Sequence, residues 1–141
     1  MSYLSAARAA IIAKGAAIAG MRKAYPRLPE TIAASPAIVL GQMTWQTIPG
    51  DRERTAYTFD LDLYVERSAD DDRTIAAADD LIDLVQAAYA AGITLGQGGQ
   101  TSQCVIRGGA SNLWVEIGAA EYLLTRFQLE LSASRQRGYT A

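Results

Sequence analysis

The nine residues 57-YTFDLDLYV-65 alternate apolar and polar without a break. A side-chain period of two belongs to a strand with one face on a core. Tyr57, Phe59, Leu61, Leu63 and Val65 fall on that face. Thr58, Asp60, Asp62, Tyr64 and Glu66 fall on the other. Such a strand needs a sheet around it and an apolar layer over it, and the rest of the chain supplies candidates for both.

Residues 3–24 place Leu4, Ile11 and Ile18, with Ala7, Ile12 and Ala19, along one helical stripe, which predicts a first helix. The stretch 25–36 holds three of the four prolines and reads as an extended connector. Residues 37–48 read as a strand built on Ile38, Val39, Leu40, Met43 and Trp45, and 49-PGDRER-54 as a charged hairpin loop. Over 71–91 the period changes. Ile75, Ala78, Ile82, Val85 and Tyr89 form a helical stripe that Leu81, Leu84 and Ala88 widen, with Asp79, Asp80 and Asp83 on the far side. Asp70, Asp71 and Asp72 suit its N-terminal cap and dipole, and Gly92 its C-terminal cap. Residues 95–100 read as a loop, 101–107 and 112–118 as short strands around the turn 108-GGAS-111, and 121–135 as a long last strand. Hairpins dominate this order. The expected fold is α+β, a mainly antiparallel sheet of four to five strands with two helices packed on one face. Residues 1–135 form one domain and 136–141 a C-terminal tail.

A chain of 141 residues can bury a core without covalent staples. It has one cysteine, Cys104, and no histidine, which excludes an internal disulfide framework, a multi-cysteine zinc site and every histidine-containing triad. The net charge of −2 is no nucleic-acid footprint. No apolar run is long enough to span a membrane. In 6-AARAAIIAKGAAIAG-20 the charges of Arg8 and Lys14 interrupt the apolar run, so the segment reads as a mature helix rather than a signal peptide. The expectation is a reduced, soluble, cytosolic-type protein.

The candidate sites are few. Asp60 and Asp62 share a strand face about 7 Å apart, a spacing a divalent metal could bridge. Their place in the alternation instead predicts a solvated strand face. Aspartate is a poor strand former, so two on one strand point to a face that repels something negative or meets a basic partner. The glycine-rich 95–100 and 107–111 lack the pattern of a phosphate loop. Cys104, without a histidine beside it, reads as a core or edge residue. Trp45 and Trp114 read as half-buried sheet residues, although an exposed tryptophan would suit an interface. The loop 51-DRER-54 is either a solvated turn or a tip that docks on a neighbouring subunit.

The connector 26-PRLPETIAASPAIVL-40, the strand 57-YTFDLDLYVER-67, the acidic-capped helix 70-DDDRTIAAADDLIDLVQAAY-89 and the closing 126-RFQLEL-131 come in an order that resembles the tail-terminator (tail-completion) proteins of long-tailed bacteriophages. The resemblance covers most of the chain. It implies a non-enzymatic virion subunit without cofactors, assembling into a homohexameric ring that caps the tail tube and meets the head–tail connector, at the neck end of the tail. Assembly would take place in the host cytoplasm, with DNA only as passing cargo and no membrane partner. A ring contact joins two different patches, and the candidates are Asp51, Arg52, Glu53 and Arg54 at the hairpin tip and Arg135 and Arg137 near the C-terminus, with Asp79, Asp80 and Asp83 as their partners. Alternative readings are a neck protein of the same particle and, from another class, a carboxylate-based small hydrolase or a ligand-binding domain.

Overall fold

The computed structural model describes residues 2–50, 53–95, 100–102 and 104–135. Within them the elements follow in the order α1 (Tyr3–Ala16), β1 (Lys23–Tyr25), β2 (Ala37–Ile48), β3 (Glu53–Glu66), α2 (Asp71–Ala90), β4 (Ile93–Leu95), β5 (Gln100–Ser102), β6 (Cys104–Ile117) and β7 (Ala120–Arg135). Five strands make one sheet in the order β1-β2-β3-β7-β6, and β4 and β5 pair separately. The β1–β2 pair is parallel and the other pairs are antiparallel. This is the expected α+β class.

The alternation at 57–65 places Phe59, Leu61 and Leu63 at 0% exposure on the core face, beside Leu123, Leu129 and Leu131 of β7. Two helices cover that face. From α1 come Ala7 and Ile11, and from α2 come Ala78, Leu81, Val85 and Tyr89. Ser2 caps α1 by accepting from the Ser5 N–H, and Asp70 caps α2 by accepting from the Asp72 N–H. The helices meet closely at Gly15, where a Cβ would lie 2.8 Å from Ile38 Cγ2 and 3.0 Å from the Tyr89 hydroxyl oxygen. That hydroxyl donates to the Ile11 carbonyl at 2.7 Å. Gly92 follows α2 at φ 84°, the left-handed conformation expected of its C-terminal glycine.

Several boundaries differ from the sequence reading. The first helix stops at Ala16 rather than near 24. The Ala17 N–H still reaches back to the carbonyls of Ala13 and Lys14, after which turn bonds from Ile18 to Gly15 and from Met21 to Ile18 bend the chain. Those turns bury Ile18 and Met21 as well as a longer helix would, so the apolar stripe could not distinguish the two. The turn expected at 108–111 is absent. β6 runs through it with register breaks after Ile106 and after Ala110, because glycines in a strand are absorbed as bulges as readily as they make turns. The chain reverses at 118–119 instead. Glu53 and Arg54, expected in the hairpin loop, already belong to β3, opposite Arg135 and Ser134 of β7. Leu95 and Gln100, expected in a loop, pair with each other, while 96–99 lie outside the described residues. Leu84 is 42% exposed, so it does not widen the core stripe.

The sheet's other face is not uniformly wet. Val39, Tyr64, Tyr122 and Leu124 form a second apolar cluster there, roofed by Tyr25 and Ile32. The Tyr64 and Tyr122 rings meet edge to face at 6.2 Å. The connector that forms this roof is fastened by bonds from the Ala33 N–H to the Tyr25 hydroxyl and from the Glu66 N–H to Ser35 Oγ.

Candidate assembly surface

The two strand aspartates are the first candidates the structure reassigns. Asp62 is 4% exposed, not solvated. Arg126, opposite it on β7, donates to both carboxylate oxygens, from Nε at 2.8 Å and from Nη2 at 3.0 Å. Gln128 Nε2 donates to Asp60 Oδ1 at 2.6 Å. The basic partner of this face is therefore internal, one strand away. The bidentate fork matches carboxylate geometry, and Asp62 in turn holds the guanidinium's pKa above its ordinary value through hydrogen bonding and charge. Burial, and then the nearby Asp62 charge, raises the Tyr64 hydroxyl pKa as well. These groups tie β3 to β7.

A second polar cluster holds the start of α2. Arg67 donates to both oxygens of Asp71 at 2.8 Å and to Glu121 at 2.6 Å, and its guanidinium lies 4.6 Å from the Trp114 ring centre. It joins the end of β3, the first turn of α2 and the β6–β7 hairpin. Cys104 is buried, and burial pushes its thiol up to about 11, far from a thiolate nucleophile. Among the described residues no three His, Cys, Asp or Glu side chains converge as a metal site would require. No described helix is long and apolar enough to cross a membrane. A groove of about 210 Å³ runs between Ile82 and Gln86 of α2 and the bulged Gly108–Ser111 of β6. It brings no set of titratable groups together beyond Arg126, which is already held by Asp62.

The expected contact residues divide. Asp51, Arg52 and Arg137 lie outside the described residues, as does the rest of 136–141. The ladder sets Glu53 opposite Arg135, so the hairpin end and the end of β7 are brought side by side. Asp79, Asp80 and Asp83 are exposed on α2, as the helical period requires. No hydrogen bond or ion pair among the described residues joins them to Arg54.

Past the row that holds Trp45, Tyr57 and Leu131, strands β2, β3 and β7 continue beyond the apolar core. The first residue of α1, Tyr3, stacks on Tyr57 at 5.7 Å, which marks where helical cover begins. Trp45, read as half-buried, is 67% exposed at this boundary, and Ile48 is 47% exposed. Neither belongs to the sequence-derived contact set, and 43-MTWQTI-48 is strand-forming and carries no charge.

No protein-family model matches the sequence, and no curated protein matches it. Among solved structures, the fold is similar to a chain in the "Virion of native gene transfer agent (GTA) particle". The TM-score is 0.59 at 17% sequence identity, covering 94% of this chain and 100% of that one. At this identity the likeness is one of fold.

Proposed function

We propose that this chain is a structural subunit of a phage-like particle and that it serves as the tail terminator, a ring that caps the tail tube and meets the head connector. The observation that carries this reading is the fold likeness to a virion chain over nearly the full length of both proteins. It agrees in kind with the family that the order of connector, strand, acidic-capped helix and closing strand resembles. The side-chain clusters fit a structural role, because the carboxylates of β3 and the Arg67 cluster hold elements together rather than converging on an open site. The exposed Asp79, Asp80 and Asp83, together with a net charge of −2, suit a ring that DNA crosses without being held. The partners in this reading are further copies of the chain, the tail tube protein and the head–tail connector protein.

Light scattering and electron microscopy of the purified chain test it. A ring of about six copies that binds tube ends is expected. A ring that binds only the connector would assign the chain to the neck, and a monomer at every concentration would overturn the ring. Arg52→Ala with Arg54→Ala is expected to leave subunit melting within a degree or two while weakening the ring or its hold on tubes. A double variant that assembles and caps tubes like the parent would remove the hairpin tip from the contact.

A further inference from the structure

The sheet is open on both sides. It ends on β6 at one edge, and at the other β1 covers only Ala37–Val39 of β2. Among the described residues no strand pairs with the outer side of Leu40–Ile48. Beyond the register break between Leu40 and Met43 of β2, Met43–Ile48 contains no charged residue and no proline, the usual guards against pairing with another chain. β6 is guarded in its middle, where the register breaks and Arg107 stands, and by the single charge of Glu116 near its end. Its final stretch, Leu113–Ile117, pairs regularly with β7 and exposes Leu113 and Trp114 by 50% and 37%. Of the seven large hydrophobic residues exposed among the described residues, five lie on β2 and β6.

We propose that Met43–Ile48 of one copy pairs antiparallel with Leu113–Ile117 of the next, so that the sheet continues from subunit to subunit; this rests on the ring reading above. Strand direction supports it. The β2–β3, β3–β7 and β7–β6 pairs are all antiparallel, so β6 runs opposite to β2. A second copy in the same orientation therefore offers an antiparallel edge, the more stable pairing, once it slides along the strands, because the ladders set Leu113 level with Ala37 and Ile106 level with Met43. β1 occupies the lane beside Ala37–Val39, which leaves the partner strand the lane beside Met43–Ile48. The contact joins two different edges, so it is heterologous and can close into a ring. Pairing of β2 with β2 would instead stop at a two-fold dimer.

Blocked edges test this with the full chain. Trp45→Lys with Ile48→Lys places charge on the β2 edge, and Leu113→Lys places it on the β6 edge. All three positions are at least 47% exposed, so folding should survive, and circular dichroism melts check it. The same positions changed to Asp provide a second set. Light scattering should show each variant alone falling to the 15.1 kDa monomer. An equimolar mixture should form a one-to-one pair and nothing larger, because only one intact β2 edge meets one intact β6 edge. If the parent forms a ring and the folded variants do too, the ring stands and edge pairing is refuted. If the β6-blocked variant dimerises with itself, β2–β2 pairing replaces the proposal. A monomeric parent overturns the ring and, with it, this contact.

Discussion

Removing Arg126 should damage the fold more than neutralising Asp62, although the two form one pair. The asymmetry follows from burial. The Asp62 side chain is 6% exposed and that of Arg126 is 46% exposed. Arg126→Met strands a carboxylate between strands with its cation gone. Deleting one member of a fully buried pair costs about 3–5 kcal/mol, and the half-wet guanidinium reduces this to about 2–3 kcal/mol. Asp62→Asn leaves a guanidinium that can turn to water and an amide oxygen that still accepts one bond, so the loss should be near the exposed-pair scale of about 1 kcal/mol. Against a typical total of about 5–15 kcal/mol, both are measurable. Urea titration followed by tryptophan fluorescence should show lower midpoints with unchanged slopes. The double variant should lose less than the sum of the single losses, by about 1 kcal/mol. If both single changes cost under about 0.5 kcal/mol, or if they simply add, Asp62 sits on a solvated face and the bidentate bridge carries no stability.

Phe59→Ala, at a position of 0% exposure, should cost about 3–5 kcal/mol in the same titration; a loss under about 1 kcal/mol would mean that the core face of β3 is misassigned. Hydrogen bonds from Arg67 lower the Asp71 pKa below its ordinary 3.8. The stability this carries is full above 3.8 and is lost as pH falls through the lower folded value, so Asp71→Asn should flatten the acid limb of a melting-temperature profile relative to the parent. With its thiol pushed up to about 11, Cys104 should react with a disulfide reagent at pH 8 only at the rate of local unfolding, and adding urea should release fast labelling.

The elements with a long, unbroken period were legible in the sequence. The run at 57–65 fixed the face of β3, and the stripe from Ile75 to Tyr89, bounded by Asp70 and Gly92, fixed α2 almost to the residue. What failed were places where one signal serves two geometries. Ile18 fits a helix or the turns that follow it, and Gly108-Gly109 fits a turn or a bulge. The burial of Asp62 was out of reach for another reason. Alternation reports which side of a strand a residue takes, not what lies opposite, and Arg126 stands 64 positions along the chain. The exposure of the β2 end was hidden in a similar way. Trp45 and Ile48 read as strand residues, and how far they stand in solvent depends on the open edge beside them, which the sequence does not show.

The placing of β7, the last strand made, between β3 and β6 sets a timetable for biosynthesis. β3 leaves the ribosome with β2 beside it, but its other side waits for β7, and Asp60 meets a partner 68 positions later. At ordinary rates of translation that delay is roughly 3–14 s. Through it the nascent hairpin carries Phe59, Leu61 and Leu63 with no β7 beside them. A bare strand bordering an uncovered apolar surface is the form most prone to join a neighbour on the same messenger. Keeping that hairpin apart from others while β7 is still being made therefore favours a higher yield of folded subunit.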